Sequence, residues 1–419
     1  TGTDPNNYIW YSGKLWRAVS INNEAKTTKL VTQWNISTIN YNSNYDGTDF
    51  AGSYMEEWLN DTSVDGFLYN LRDYENFIVT DSKWDNSFDT TALGSIKKPN
   101  GKTIVEDAVG LLNMYEYQSS YKGTTYKNGY LNNGLSWWTL TPGDYMRIVR
   151  YDGDDGQSEA LFSEGVRPSI NLQSSVKIVS GDGTVDNPYR LAGDNDTDLK
   201  GVKLNTRYSG EYISFGTGKN NLYRIVSHET SGLTKIVSAE PLKKSGKFIT
   251  KQFSDSNVSD FEDSTIKEFL NNDYLTEYVG DNYINMIEDN TSWYVGTVNL
   301  GKNYKLAKYI DTSMTRYAKS TKAKVSLLRF GELMSGQFER YAVKGGSTSK
   351  GLTTDYWLLT GDDYYSDFGL RYVMEDGTDY SESRNYEFGV KPSMNLKEKV
   401  IITSGDGTKN NPFMIELPS

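Results

Sequence analysis

The chain has 419 residues, and its 55 acidic and 44 basic side chains give a formal net charge of −11. Such a charge repels phosphate backbones and anionic membranes, so we expect neither nucleic acid nor a membrane surface as the partner. The chain has no cysteine and one histidine, His228, which removes thiolate chemistry, cysteine-ligated zinc and a repeated Ser-His triad.

The first predicted elements are short strands, followed by a helix. Alternating apolar residues predict strands at Ile9 to Tyr11, Leu15 to Val19 and Lys29 to Thr32. Ser53 and Glu56 have the spacing of a capping box, and the next apolar positions lie on one helical face. The sequence therefore predicts a helix that begins after Ser53 and buries Met55, Trp58 and Leu59.

Later segments predict further strands and a second short helix. Leu111 and Leu112 are typical of a buried strand, and Asn113 and Glu116 are spaced as a second helix cap. Gly165 is expected where the backbone needs a bulge or a close approach. Strands are predicted at Trp138 to Thr141, Arg147 to Arg150, Val166 to Leu172 and Val176 to Val179.

Most of these landmarks occur twice in the same order. GVRPSINL at Gly165 returns as GVKPSMNL at Gly389, and SGDGTVDNPYRL at Ser180 returns as SGDGTKNNPFMI at Ser404, both offset by 224 residues. The recurring pairs nearer the start are LWRAVS and LYRIVS, SYMEEWLN and STIKEFLN, VGLLNMYE and VSLLRFGE, and WTLT and WLLT.

Two copies of one fold explain this order. We predict an α+β chain of two tandem homologous modules, residues 1–194 and 200–419, joined by a polar linker at about 192–200. Each module is expected to have a mostly antiparallel twisted sheet and two short helices.

As a set, these motifs resemble a module of undefined function found in exported, surface-attached or pilin-like proteins of Gram-positive bacteria. The resemblance covers essentially the whole chain, once per copy. It implies an extracellular location at the bacterial cell surface. The chain begins at Thr1 without Met, so any anchor is expected outside it.

The arrangement is also similar to C-type-lectin-like folds, which include receptor-binding proteins and formylglycine-generating enzymes. The enzymatic activity of that group is not carried over, because this chain has no cysteine to perform it.

Aromatic residues supply the first candidate ligand contacts. Trp138 and Trp357 are expected in the core, so Trp137 and Tyr356 should point to the opposite sheet face. An exposed ring there would suit stacking on a sugar, although covering by a loop is an equal alternative. Further candidates lie in the loops at Tyr145 to Glu159 and Asp362 to Asp367, and they are Tyr145, Asp363, Tyr364, Tyr365 and, beyond the second loop, Asp376.

An acidic turn is the one candidate metal site. Asp152, Asp154 and Asp155 offer oxygen ligands to calcium, but their spacing departs from a calcium loop, and a solvated turn is the default interpretation. No other cofactor is predicted.

Other repeated polar residues have structural interpretations. Glu116 and Glu332 recur, and a helix cap explains Glu116. A cross-link between Lys and Asn beside an acidic residue stays a hypothesis, because no spacing identifies it. With His228 as the one group that ordinarily titrates near neutrality, we expect little change of stability between about pH 6 and 8.

These observations predict a binding protein and no enzyme: an adhesin or exposed pilus-associated subunit whose loops hold a glycan or, second, a host or partner protein. A structural subunit of a surface filament is the alternative. An Asp/Glu-dependent hydrolase is a further alternative.

Overall fold

The computed structural model describes residues 3–42, 46–63, 66–87, 96–121, 126–193, 198–218, 221–228, 232–255, 260–298, 319–336, 339, 354–362, 369–375, 377 and 379–419. The chain divides into two compact units: unit 1 is Thr1–Asn195 with Met334–Thr348, and unit 2 is Asp196–Leu333 with Ser349–Ser419. Of the described residues, 37% lie in strands and 14% in helices, so β-sheets with a few short helices define the fold. No helix within the described ranges is both long and apolar enough to span a membrane.

The strands of unit 1 are β1 (Tyr8–Tyr11), β2 (Lys14–Asn22), β3 (Thr27–Thr32), β4 (Ser37–Asn40), β5 (Ser82–Asp85), β6 (Ile104–Asp107), β7 (Val109–Leu111), β8 (Trp137–Trp138), β9 (Met146–Val149), β10 (Asp155–Ser158), β11 (Ser163–Val166), β12 (Pro168–Leu172), β13 (Ile178–Ser180) and β14 (Tyr189–Leu191). Its helices are α1 (Tyr54–Asn60), α2 (Tyr74–Phe77) and α3 (Met114–Ser119), with 3-10 turns at Leu68–Asn70 and Tyr126–Asn128.

The strands of unit 2 are β15 (Tyr212–Ser214), β16 (Leu222–His228), β17 (Thr234–Ser238), β18 (Lys243–Lys244), β19 (Lys247–Phe248), β20 (Thr250–Gln252), β21 (Ser292–Val295), β22 (Thr297–Val298), β23 (Lys319–Lys322), β24 (Val325–Ser326), β25 (Tyr356–Asp362), β26 (Gly369–Val373), β27 (Asp379–Ser383), β28 (Glu387–Gly389), β29 (Ser393–Leu396), β30 (Ile401–Ser404) and β31 (Met414–Glu416). Its helices are α4 (Thr265–Asn271), α5 (Asp281–Ile284) and α6 (Phe330–Met334), with a 3-10 turn at Leu204–Thr206 and a π-helix at Leu275–Val279.

Each unit contains a large sheet. One of its edge strands, β7 in unit 1 and β24 in unit 2, is followed in sequence by a short helix, α3 or α6. In unit 1 the strand order is β13-β14-β1-β2-β3-β12-β7, and in unit 2 it is β15-β16-β17-β29-β24. The central pairs β3–β12 and β17–β29 are antiparallel, with Lys29 opposite Asn171 and Lys235 opposite Asn395. Cross-strand partners point their side chains to the same face, so each unit brings one lysine and one asparagine together.

A second sheet also has the same order in the two units. It runs β10-β9-β8-β11-β4 in unit 1, and the path β27-β26-β25-β28-β20 runs through its unit 2 counterpart. The third shared feature is a two-stranded ribbon, β5–β6 in unit 1 and β21–β23 in unit 2. The ribbon of unit 2 places Trp293 beside the large sheet, where its ring lies 5.2 Å from the Lys235 ammonium.

The predicted helix starts are confirmed. The Ser53 and Ser264 side chains accept hydrogen bonds from the backbone N–H groups of Glu56 and Lys267, and both helices bury the expected apolar face. Asn113 and Glu116 form a reciprocal capping box at the start of α3. The strand expected over Trp138 to Thr141 is wrong in extent, because β8 ends at Trp138 and the Leu140 N–H donates instead to the carbonyl of Leu112.

The close approach expected at Gly165 is confirmed. A Cβ atom there would lie 1.9 Å from Nδ2 of Asn35 and 2.5 Å from the carbonyl oxygen of Ser136. Asn35 Nδ2 donates to that same carbonyl at 3.0 Å. Only a residue without a side chain fits where β11 passes this hydrogen bond.

Candidate functional site

Unit 2 contains a cavity of about 980 Å³ beside its large sheet. Its lining includes side chains from β17, β21 and β29 and the residue that precedes α6. Those that bear on its chemistry are Lys235, Thr291, Trp293, Arg329, Asn395 and Lys399. We call this cavity the unit 2 cleft.

The most buried charges of the cleft form an ion cluster. Lys235 Nζ lies 2.6 Å from Oε1 of Glu332, and Arg329 Nη2 lies 3.5 Å from the same oxygen. The Arg329 backbone N–H donates to Oε2 of Glu332 at 3.0 Å. Two cations therefore surround one carboxylate at the start of α6.

This cluster keeps Glu332 ionised. Burial alone would raise the pKa of the Glu332 carboxyl, but the charges of Lys235 and Arg329 and their hydrogen bonds outweigh it and hold that pKa at about 2. The Glu332 carboxyl thus stays ionised at any pH near neutrality.

Trp293 and Asn395 are two further residues that line the cleft. The Trp293 Nε1–H donates to the Ala323 carbonyl at 2.9 Å, which fixes the ring. Asn395 is 3% exposed, and its Nδ2 donates to Oγ1 of Thr291 at 3.4 Å. Its Oδ1 is buried without a hydrogen-bond partner among the described residues. A buried acceptor of this kind is costly unless something donates to it, and Asn395 is one of the residues that line the cleft.

Unit 1 holds the sequence counterparts of these residues in a similar arrangement. Lys29 Nζ lies 2.6 Å from Oε1 of Glu116 and 5.0 Å from the Trp84 ring, and Asn171 is the cross-strand partner of Lys29. The side chains of Lys29 and Glu116 are 17% and 19% exposed, against 7% and 0% for Lys235 and Glu332. The unit 1 pair is therefore more open to solvent.

The hydrogen bonds of the two asparagines differ. Asn171 Nδ2 donates to Oγ of Ser82 at 3.0 Å. Asn113, which caps α3, stands at the sequence position of Arg329. The arginine is thus specific to the unit 2 cleft.

Of the two alternatives for Trp137 and Tyr356, exposed or covered, the structure excludes exposure. Trp137 is fully buried, packed edge-on against the Tyr117 ring with the Arg167 guanidinium 4.7 Å from its centre. Its neighbour Trp138 is buried on the other face, against Tyr41. Because both faces of β8 are covered, neither tryptophan is open to a sugar ring.

The aromatic pair of unit 2 is covered as well. Tyr356 is 5% exposed, and the Lys391 ammonium lies 4.8 Å from its ring, while Trp357 is buried next to Phe253. The other interpretation, an aromatic covered by neighbouring structure, holds for both residues.

The carboxylates of the acidic turn do not converge. Asp152 is exposed and accepts the backbone N–H of Asp154 at 3.0 Å, whereas Asp154 forms an ion pair with Lys127. Asp155 is buried on β10, opposite Val149. Within the described ranges, no group of three His, Cys, Asp or Glu side chains is arranged to hold a metal ion. The structure therefore offers no support for calcium at this turn.

Of the remaining candidates, the structure describes one, Tyr145. Tyr145 is half-buried, and its backbone N–H donates to Oε1 of Gln157 at 3.0 Å. Asp363, Tyr364, Tyr365 and Asp376 lie outside the described residues.

One Lys–Asn juxtaposition bears on the cross-link, which stays a hypothesis. Lys235 and Asn395 are cross-strand partners beside Glu332. The pKa of the Glu332 carboxyl is held at about 2, so Glu332 is the ionised counter-ion of Lys235 and not a neutral acid beside the asparagine. The arrangement is that of a stable ion pair.

A separate pair of carboxyl groups occurs in unit 1. Burial, and then the charge and hydrogen bond of Glu56, raise the pKa of Asp107 to about 7. Catalytic carboxyl pairs of glycosidases are about 5 to 10 Å apart, so two hydrogen-bonded carboxyls do not have that geometry. The sequence counterparts in unit 2 are Lys267 and Ala323, which makes this pair a feature of unit 1.

Comparison of the chain with known protein families, with curated proteins and with solved structures finds no match.

Proposed function

We propose that the protein is a binding protein of the bacterial cell surface, an adhesin or pilus-associated subunit, that holds a glycan in the unit 2 cleft. The observation that carries this proposal is the buried Asn395 Oδ1, an acceptor without a protein donor among the described residues, beside a cavity of about 980 Å³. Saccharides are rich in hydroxyl donors, and Trp293 and Thr291 add an aromatic and a hydroxyl group to the same wall.

We further propose that the two units are copies of one module with a C-type-lectin-like fold. The matching strand orders of their sheets and the recurring Lys, Glu, Trp and Asn set support a duplication. The location at the cell surface follows from the sequence resemblance to exported modules.

The test is a glycan screen of the full-length chain with two matched variants, Asn395→Leu and Asn171→Leu. We expect the wild type to bind a subset of bacterial or host glycans, and Asn395→Leu to lose at least about tenfold in affinity, as expected for a buried hydrogen bond to ligand. Asn171→Leu removes the same side chain from unit 1 and should leave that binding unchanged. Absence of binding to every glycan, or equal loss in both variants, would overturn the proposal.

A structural filament subunit is the second candidate, because one sheet edge in unit 1 is apolar and exposed. Ile178 and Val179 on the edge strand β13 are 56% and 50% exposed. Unprotected edge strands pair readily with other chains. Concentration-dependent growth of fibres that Ile178→Lys abolishes would favour this function, and a chain that stays monomeric at high concentration would remove it.

A further inference from the structure

We propose that the edge strand β13 of unit 1 accepts an extended segment of a separate polypeptide chain as an added strand, in the way that unit 2 covers its strand β30 with residues 199–204. We call residues 199–204 the covering segment. The inference goes beyond glycan binding, on which it does not depend, and it gives the exposed edge a partner other than a second copy of the chain.

The strands β13 and β30 have the same surroundings in sequence and pairing. Each ends on the first residue of an SGDGT motif and pairs antiparallel with the next strand, β14 or β31. Ile178 lies opposite Leu191, and Ile402 lies opposite Ile415. An irregularity in register follows each isoleucine, before the strand ends. The backbone of Ile178 is therefore placed relative to β14 as that of Ile402 is relative to β31.

In unit 2 the outer edge of β30 is paired with the covering segment. The Ile402 N–H donates to the Val202 carbonyl at 2.9 Å, and the Gly201 N–H donates to the Ile402 carbonyl at 2.8 Å. The Leu204 N–H donates to the Val400 carbonyl at 2.9 Å, and the two runs are antiparallel. The covering segment is thus a strand added to the edge of β30.

The covering segment also buries apolar surface. Ile402 is fully buried in the hydrophobic core cluster that includes Leu199 and Leu204. On the same segment, Lys200 and Lys203 are exposed. This edge is therefore covered by a segment whose leucines face the unit and whose lysines face solvent.

In unit 1 the corresponding edge is open. β13 is the last strand of its sheet, and no described residue pairs with its outer side. The Ala192 N–H donates to the Lys177 carbonyl at 2.8 Å. The next pair, Ile178 with Leu191, is consequently a non-hydrogen-bonded pair, so the N–H and carbonyl of Ile178 point away from β14. Its side chain is 56% exposed, against 0% for Ile402.

The chemistry of the occupant follows from the covering segment. The occupant is an extended peptide segment that combines apolar residues, which cover the Ile178 side chain, with polar residues that face solvent. When a strand is added to a sheet edge, backbone hydrogen bonds supply affinity and the side-chain contacts supply specificity. The chain's own covering segment is already paired with β30, so the occupant comes from a separate chain.

The experiment is titration of the full-length chain against a fluorescent peptide of sequence DLKGVKLN, which copies residues 198–205. We expect saturable binding, measured by fluorescence anisotropy. The same peptide with its glycine N-methylated lacks the N–H that would donate to the Ile178 carbonyl, and it should bind about tenfold more weakly. Hydrogen exchange of the full-length chain should slow at the Ile178 amide when the first peptide is bound.

The test variant is Ile178→Lys, which puts a charge where the apolar residues of the occupant would pack and should abolish binding. The matched control is Ile21→Lys, which changes an isoleucine of β2 that is 70% exposed and should bind the peptide as the wild type does. Both side chains are exposed, so both variants should keep the melting temperature of the wild type.

The outcomes distinguish one occupant from another. Binding that Ile178→Lys leaves unchanged, as strand exchange at β30 would give, overturns the inference, and so does equal binding of the N-methylated peptide. Self-association that Ile178→Lys abolishes, without peptide binding, assigns the edge to a second copy; it overturns the inference and leaves the filament function in place. Peptide binding by a chain that stays monomeric supports the inference and removes the filament function.

Discussion

At the scale of single residues, the Lys–Glu pair is the feature that the two units share most closely. In unit 2 it is enclosed, with Lys235 and Glu332 at 7% and 0% side-chain exposure, and in unit 1 it is half-open. The distance from lysine Nζ to glutamate Oε1 is 2.6 Å in both units, but the unit 2 pair is more deeply buried than the unit 1 pair. The energetic value of the pair should differ accordingly.

Glu332→Gln should lower the free energy of unfolding by about 3 kcal/mol or more, because it leaves Lys235 and Arg329 as buried cations without their counter-ion. The glutamine side chain still has an oxygen that can accept the backbone N–H of Arg329 at the start of α6. Glu116→Gln is the matched change in unit 1 and should cost about 1 kcal/mol or less. Calorimetric melting measures both, and equal losses would contradict the difference in burial.

The raised pKa of Asp107 corrects the expectation that stability changes little near neutral pH. The pKa of Asp107 is about 7 in the folded protein, against 3.8 for an ordinary aspartate. The folded state then binds more protons than the unfolded state between these values, so the free energy of unfolding decreases as pH rises from about 4 to 7.

Asp107 is half-buried, and screening by solvent reduces the effect to about 1–2 kcal/mol. Asp107→Asn should remove this slope, whereas His228→Gln should leave it in place. Denaturant unfolding followed from pH 4 to 8 is the measurement, and a slope that survives in Asp107→Asn would show that another group causes it.

At the scale of elements, the short helices and their caps are predictable from sequence because their signals are local. Ser53, Ser264 and Asn113 each accept a backbone N–H from the residue three positions on. The extent of β8 is not predictable in this way. The backbone N–H of Leu140 donates to the carbonyl of Leu112, a residue distant in sequence, and β8 does not continue to Leu140.

Gly165→Ala tests the close approach on β11. The new methyl group would overlap Nδ2 of Asn35 and should cost about 1–3 kcal/mol. Gly156→Ala, on β10 of the same sheet, has as its nearest neighbours Cγ and Cδ of the Arg150 side chain, both at 3.1 Å, and should cost much less. Similar melting temperatures for the two variants would contradict this account of the glycine.

At the scale of the whole molecule, the sequence predicts one mostly antiparallel sheet and two short helices in each half. The described residues are rich in strands, as expected, but they form several sheets, with three short α-helices in each unit. The sequence could not locate the cleft, because Lys235, Trp293, Arg329 and Asn395 are spread over 160 residues of sequence. One usable signal existed: the residue types of Lys235, Trp293, Glu332 and Asn395 recur in the same order in the first half of the sequence, as Lys29, Trp84, Glu116 and Asn171. The sequence could not decide between exposure and burial of Trp137. Both faces of β8 are covered, so Trp137 and Trp138 are both buried and the usual alternation of buried and exposed residues is absent.

The most direct test of the central claim, that ligand binds in the unit 2 cleft, is photolabelling of the full-length chain. A glycan identified by the screen would carry a photoreactive group, and mass spectrometry of the digested protein would locate the label. The account predicts label on peptides that contain Glu288 to Tyr294 or Asn395 to Lys399, competed by unlabelled glycan. Label confined to the loop at Tyr145 to Glu159, with the cleft peptides unmodified, would contradict it.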